Sequence, residues 1–523
     1  MTIPGTLFEL AWLIPAFPLL AAGGLALDRA LRGQRGEAAE RGTARLALGA
    51  AWLSFLLAAA LGLQALWSGP PGPVLSGTWL ASGELRVHLA FTLDSLGLSL
   101  LVLAAALCLL TLRFAVNYLL REAGFQRFFM VLLLFMAAME LILMAGNAVL
   151  AFMGWELAGV ASYLLIAYNF ERPVASANAN RAFITNRVGD AGFLLGIFFT
   201  FHWLGGSDWQ LIAERASTLE PLQADLMALA FLVAALAKSA QVPFAPWIGR
   251  ALEGPTPSSA IFYGALMVHA GAYLLIRLEP LLAQAPAVAT LVTILGGLTA
   301  LYGWLGGLAR TDVKGALMFS TTAQVGLMFL WIGLGWTTWA SWHLALHALW
   351  RAWQFLQAPA LMHRASRPAR PVPAWLGRRR WLHQAALQGF WLDDLADGLL
   401  VRPTRSTARD VQDLDERVLS RIVGLPGDAA GLSDLGGLTM GEGGWLRPSE
   451  EQIVQGRGFL GRGLAGLASL LHWFEQRLVL RGGGEGLLAA IQRLAYLANQ
   501  VEGLLARPRY LFIIILATLG VIL

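Results

Sequence analysis

Residues 226–277 read LMALAFLVAALAKSAQVPFAPWIGRALEGPTPSSAIFYGALMVHAGAYLLIR. An apolar run long enough to enter a bilayer closes on Lys238, and Pro243 and Pro246 break the chain just beyond it. After Pro255 and Pro257 a second run begins, carrying Tyr263 and His269. Hydrocarbon offers no partner to a freed backbone N–H or C=O. A proline-broken helix at membrane depth is therefore tolerated only where it is buried in protein or lines a cavity. An ionisable side chain there is also costly, about 2.5–3.5 kcal/mol on insertion scales. A lysine beside such a break predicts a helical membrane protein with a polar interior.

The rest of the chain agrees. Of 523 residues, 57% are hydrophobic and 14% charged, against about 25% charged in soluble domains; the mean hydropathy is +0.60. Apolar stretches of membrane-helix length, roughly 17–25 residues, recur at about 10–28, 46–68, 95–113, 127–146, 148–168, 188–204, 224–242, 258–277, 286–308, 315–335 and 340–363. A shorter one closes the chain at about 509–523. The expectation is an all-α polytopic membrane protein of about 12 transmembrane helices, some of them broken. The first run lacks a basic n-region and a small-residue cleavage pattern, so no cleavable leader is expected.

Arginine marks every second connection. Arg29, Arg32, Arg35, Arg41 and Arg45 follow the first span, Arg113, Arg121 and Arg127 the third, and Arg172, Arg181 and Arg187 the fifth. Arg250 follows the seventh, Arg310 and Lys314 the ninth, and six arginines from Arg364 to Arg380 the eleventh. The 69–94 connection has only Arg86. This is the positive-inside pattern with the N-terminus outside, and it accounts for the net charge of +5 without nucleic acid. The chain divides into three segments: a bundle at 1–363, an Arg-rich cytoplasmic region at 364–508, and a C-terminal membrane helix at 509–523. Amphipathic helices are expected at 384–401 and 405–423, and leucine and alanine recur at helical spacing from Phe459 to Ala506. Asp393, Asp394 and Asp397 make 384–401 a poor membrane span. The later segment suits a membrane surface, a partner, or packing on its own bundle.

Some chemistries are excluded. The single cysteine, Cys108, lies in an apolar span and builds neither a disulfide framework nor a thiolate metal site. Gly456, Gly458 and Gly461 fit GxGxxG, yet no strand precedes them, so a dinucleotide loop is not expected.

The ionisable residues inside the spans are the functional candidates: Glu156 in the fifth, Asp190 in the sixth, Lys238 in the seventh, His269 in the eighth, and His343, His347 and Arg351 in the eleventh. Of 38 basic residues only Lys238 and Lys314 are lysine. Arginine stays protonated in proteins, whereas a desolvated amine can release its proton. A lysine kept at membrane depth suits a group that cycles its charge; read statically, it would pair with Glu156. His343, His347 and Arg351 recur at i, i+4 and i+8, one helical face about 12 Å long. Histidine titrates near neutrality and relays protons. The pair could otherwise ligate a metal or be satisfied core residues, but no HExxH glutamate or third ligand accompanies it. Tyr263, Ser320, Thr321 and Gln324 add polar support.

Five stretches together carry a resemblance: Gly154-Trp155-Glu156 with Ser162 to Leu165, Asn186 to Asp190, Lys238 to Pro243 with Trp247, Glu253 to Ala260, and Thr311 to Lys314 before the His343/His347 helix. Over about 90–365 the chain resembles the antiporter-like proton-channel subunits of respiratory complex I and multisubunit sodium/proton antiporters. Residues 390–404 resemble a late segment of the large complex I channel subunit. The resemblance implies an antiporter-like fold and a proton pathway through the residues above, with no catalytic site, metal or cofactor in this chain. Three departures stand out: such subunits usually carry lysine where Arg351 stands and a histidine near Tyr263, and their second inverted repeat continues after the eleventh span, so a truncated second repeat is expected here.

That truncation is most like DabB, the membrane subunit of Dab inorganic-carbon accumulation complexes. This implies a bacterial inner-membrane protein passing protons to a DabA-type zinc partner on the cytoplasmic side, which converts CO2 to bicarbonate. The alternative is a proton-pumping subunit among complex I-type partners, or a sodium/proton antiporter. A non-conducting scaffold is the remaining class.

Overall fold

The computed structural model describes residues 7–32, 36–82, 85–364 and 372–414. Eleven long helices dominate them, and all eleven expected spans up to residue 363 fall on these helices. They are α1 (Leu13–Arg32), α2 (Glu37–Ser68), α3 (Ser95–Tyr118), α4 (Phe125–Met144), α5 (Ala148–Ile166) and α6 (Pro173–Phe199). Next come α7 (Pro221–Lys238), the broken α8 (Thr256–Arg277), α9 (Pro286–Leu308), α10 (Val313–Gly333) and α11 (Thr337–Arg364). Helices α1 to α10 are apolar enough to cross a membrane by composition. Helix α11 is less apolar because one face carries His343, His347 and Arg351. The expected span at 509–523 lies outside the described residues.

Two differences from expectation have local causes. Helix α6 begins at Pro173, fifteen residues before its apolar stretch, because proline at the first helical position fits there and Asn-Ala repeats continue the helix in a polar turn environment. The 69–94 connection is not a plain loop. It forms a hairpin of β1 (Val74–Ser82) and β2 (Leu85–Phe91), antiparallel with two register shifts. The hairpin is tied to the start of α5: Asn147 Nδ2 donates to the His88 carbonyl at 2.8 Å and Gly146 N–H to the Ala90 carbonyl at 2.7 Å. The fold is thus helical with one small sheet.

The helix joints are built from the residues that stood out in the sequence. Helix α7 ends at Lys238; Ala240 adopts a positive φ, and Gln241 N–H bonds the Leu236 carbonyl before a cis Val242–Pro243 bond. A short helix, Pro246–Arg250, leads towards α8. Within α8, residues Ser259–Ala265 are π-helical, Leu266 leaves helical geometry, and Met267–His269 is a 3-10 turn. The span is wholly enclosed by protein, which is what lets a broken helix persist at membrane depth. Helices α6 and α7 approach closely because Gly192 faces α7: a Cβ there would lie 2.7 Å from the Ala230 carbonyl oxygen.

The arginines of the alternate connections meet and bind across one face, whereas Arg277 pairs with Asp94 elsewhere. Arg121 pairs with Glu37 at 3.0 Å, Arg172 with Glu253 at 2.6 Å, and Arg181 with Asp397. Arg250 pairs with Asp393 at 3.2 Å, and Arg310 donates to the Leu387 carbonyl at 3.1 Å. Short helices α12 (Ala374–Arg378), α13 (Arg380–Leu387) and α14 (Leu392–Ala396) lie on this face, where Trp375 stacks on Trp304 and Phe390 meets Tyr302. One compact unit therefore runs to Val401, past the segment boundary expected at 363/364. Two of the aspartates that make 384–401 a poor span, Asp397 and Asp393, are the partners of Arg181 and Arg250. A second unit begins at Arg402, and its described part is the helix Arg402–Leu414.

Candidate functional site

Lys238 is the last residue of α7, so its ammonium sits at the carbonyl end of a helix, where a cation is favoured. The side chain is 1% exposed. Its Nζ donates to the Trp155 carbonyl at 3.1 Å, lies 5.0 Å above the Trp155 ring, and stands 3.9 Å from Asp190 Oδ1. Asp190 in turn accepts from Trp155 Nε1 at 2.9 Å. Glu156 is bound by Arg187, which also lies 3.6 Å from Asp190. The static reading of the sequence paired Lys238 with Glu156. The structure instead sets Asp190 against the lysine and gives Glu156 to Arg187, because Asp190 and Arg187 share an α6 face at i, i+3. Four charges, two of each sign, meet here. Arg187 reads in the sequence as a topological arginine, and its spacing to Asp190 is the signal that was available.

The second cluster joins α8, α10 and α11. His269 Nε2 and His347 Nδ1 are 2.9 Å apart, and both residues are buried. Arg351 Nε donates to His347 Nε2 at 3.4 Å, and its Nη2 to Ser320 Oγ at 2.9 Å. His343 Nε2 meets Gln324 Oε1 at 2.8 Å, with its ring 6.1 Å from that of His347. A guanidinium has no lone pair to offer, so His347 Nε2 must accept. Neutral His347 then carries its proton on Nδ1 and donates it to His269 Nε2. The contact has a direction.

The supporting residues divide. Ser320 and Gln324 belong to the second cluster. Tyr263 does not reach the histidines; its hydroxyl meets Ser162 Oγ at 3.2 Å. Thr321 donates to the Leu317 carbonyl of its own helix. The two clusters approach through the backbone: Gly271 N–H donates to Ser239 Oγ at 3.1 Å, joining the residue after Lys238 to α8 two residues from His269. Among the described residues no hydrogen bond runs directly from Lys238 to His269.

Sequence reasoning missed Glu140 in α4. It is 1% exposed, and Ser54 Oγ of α2 lies 2.5 Å from its Oε1. As the one carboxylate in a strongly apolar helix it carried the same signal as Glu156. Among the described residues no group of three metal ligands occurs.

Residues 145–371 match the family NADH:quinone oxidoreductase/Mrp antiporter, TM, and residues 79–129 match NADH-Ubiquinone oxidoreductase (complex I), chain 5 N-terminus. Over these ranges the chain is similar to the antiporter-like membrane subunits. It is 37% identical over 354 residues to the NADH-quinone oxidoreductase subunit L of Mycobacterium tuberculosis, covering 67% of this chain and 55% of that one. To the NAD(P)H-quinone oxidoreductase chain 5 of Synechocystis it is 31% identical, covering 68% and 53%. The chain thus spans about half the length of the curated relatives it matches. Among solved structures, the Mrp complex from Dietzia superimposes with TM-score 0.58 at 25% identity, over 67% of this chain and 38% of that one. Respiratory complex I from Thermus thermophilus gives TM-score 0.57 at 20% identity, over 69% and 73%, a likeness of fold. Both clusters, from Glu156 to Arg351, lie inside the 145–371 match, whereas Glu140 falls between the two matched ranges.

Proposed function

We propose that the chain is a proton-conducting membrane subunit of a multisubunit assembly of the complex I or Mrp type. The observation that carries this is the shared counter-charge of Lys238. Its nearest carboxylate, Asp190, stands at 3.9 Å and also faces Arg187 at 3.6 Å. Arginine remains charged. When Arg187 draws Asp190 towards itself, Lys238 loses its counter-ion and its proton leaves; when Asp190 returns, the amine takes up another. The histidine cluster supplies the next step. A proton arriving on His347 Nε2 removes the lone pair that holds Arg351 Nε, so protonation and movement of Arg351 are linked. Transfer between Lys238 and His269 needs a bridging water or a side-chain rotation.

Relatives named as subunits of NADH-quinone oxidoreductases favour the proton-pumping alternative over carbon accumulation. Coupling to a DabA-type zinc partner has no support among them. The arginine-rich face supports a cytoplasmic side there with the N-terminus outside, in a bacterial inner membrane. In this proposal the subunit holds no redox or hydrolytic centre, and electron chemistry resides in partner subunits. Purifying the native assembly and identifying the subunits tests membership. Redox subunits with flavin or iron–sulfur centres, or Mrp-type antiporter subunits, support the reading; a zinc protein as sole partner overturns it in favour of carbon accumulation.

A further inference from the structure

The inner face of α11 carries the histidines; its outer face is unlike a lipid-facing surface. Trp339, Trp342, Trp350 and Trp353, with Leu346 and Gln357, run along one stripe at helical spacing, and each of the four indoles is more than half exposed. Helix α11 has 28 residues, about 42 Å of length, against a hydrocarbon core of about 30 Å. With α11 read as a span, Trp350, its fourteenth residue, stands at mid-depth. Tryptophan facing lipid belongs at the headgroup level, where its N–H finds water or a carbonyl. At mid-depth the hydrocarbon provides no acceptor, and no hydrogen bond is made by these indole N–H groups among the described residues. Trp350 and Trp353 contact each other with ring centroids 5.1 Å apart, so the stripe presents a continuous aromatic ridge. Gln357 adds an exposed amide. Single exposed aromatics occur on other helices, such as Trp52 on α2, but the outer face of α9 is aliphatic along most of its length, with Ile294, Leu298 and Leu301 before Trp304 near its end.

We infer that this stripe docks a transmembrane helix of a partner subunit, one bearing hydrogen-bond acceptors (serine, threonine, asparagine, glutamine or carboxylate side chains) opposite the indole donors. The hydrogen-bonding complementarity selects protein over lipid. Polar groups of that kind join helices inside membranes, and tryptophan is enriched at the energetic centres of interfaces. The inference does not rest on proton conduction. Because Leu344, His347, Ala348 and Arg351 occupy the buried side of the same helix, a partner seated on the stripe would be one helix diameter from the histidine cluster.

The test places a photo-crosslinking p-benzoylphenylalanine at Trp342, at Trp350 and, as control, at Leu298, in the full chain in its native membrane. The stripe positions should yield an adduct mapped to a transmembrane helix containing such an acceptor, and Leu298 only lipid adducts. Independently, Trp339→Phe, Trp342→Phe, Trp350→Phe and Trp353→Phe together preserve aromatic area and remove the donors. That variant should insert normally and retain that partner at least tenfold less well on affinity purification; if it fails to insert, the Trp342→Phe/Trp350→Phe pair replaces it. Lipid adducts alone at the stripe, adducts between two copies of this chain, or undiminished retention in the phenylalanine variant would overturn the inference.

Discussion

Lys238 and Arg351 illustrate how two basic side chains serve different ends. Arg351 makes two donated bonds, to His347 and Ser320, which a permanently charged fork suits; Lys238 holds one carbonyl and a distant carboxylate. Replacing Asp190 with asparagine keeps an acceptor for Trp155 but removes the charge that Lys238 and Arg187 share. Proton flux in Asp190→Asn should fall at least tenfold, equivalent to about 1.4 kcal/mol in the limiting barrier, and wild-type flux would contradict the shared counter-ion. Lysine at 351 retains a donor for His347, so Arg351→Lys should keep flux within about threefold, while Arg351→Leu and His347→Phe should each lose most of it. Sequence alone revealed most of the ionisable residues inside the spans, though not Glu140. It did not reveal their pairing: Asp190 and Glu156 are both within reach of a lysine on a neighbouring helix, and the choice depends on how α6 is rotated.

At the level of elements, the approach of α6 to α7 sets the Lys238–Asp190 separation. Gly192→Leu would drive a side chain into the Ala230 carbonyl. Overpacking of this kind costs about 1–3 kcal/mol. The expected result is an inserted protein with a lowered thermal midpoint and reduced flux; unchanged flux would mean that this helix contact does not position the site. The arginine face makes a separate prediction. Asp393→Ala with Asp397→Ala removes the partners of Arg250 and Arg181, each partly exposed pair being worth about 0.2–1 kcal/mol. Trypsin should then cut at Arg378 to Arg380 several-fold faster, with the bundle left intact. Helix positions were legible because apolar length is a strong signal and arginine alternation fixes the count. The hairpin was not, since Gly77 and two register shifts blur the alternation of β1. The packing of 374–401 on the bundle was not legible either, because aspartates that argue against a membrane span say nothing about which arginines they meet.

Across the whole molecule, the two clusters lie on helices that enclose one another, with α8 wholly surrounded and the histidines reached from α10 and α11. A chain of this kind should carry no tightly bound zinc or redox metal of its own; elemental analysis of the purified subunit finding one equivalent would contradict that. The central claim is that Lys238 cycles its proton. The direct measurement is proton flux, followed with an internal pH-sensitive dye, in vesicles of the native assembly containing either wild-type chain or Lys238→Arg at equal insertion. Arginine preserves the charge beside Asp190 but does not release its proton. The predicted result is at least a tenfold loss of flux with the assembly intact; flux equal to wild type in Lys238→Arg would contradict the account.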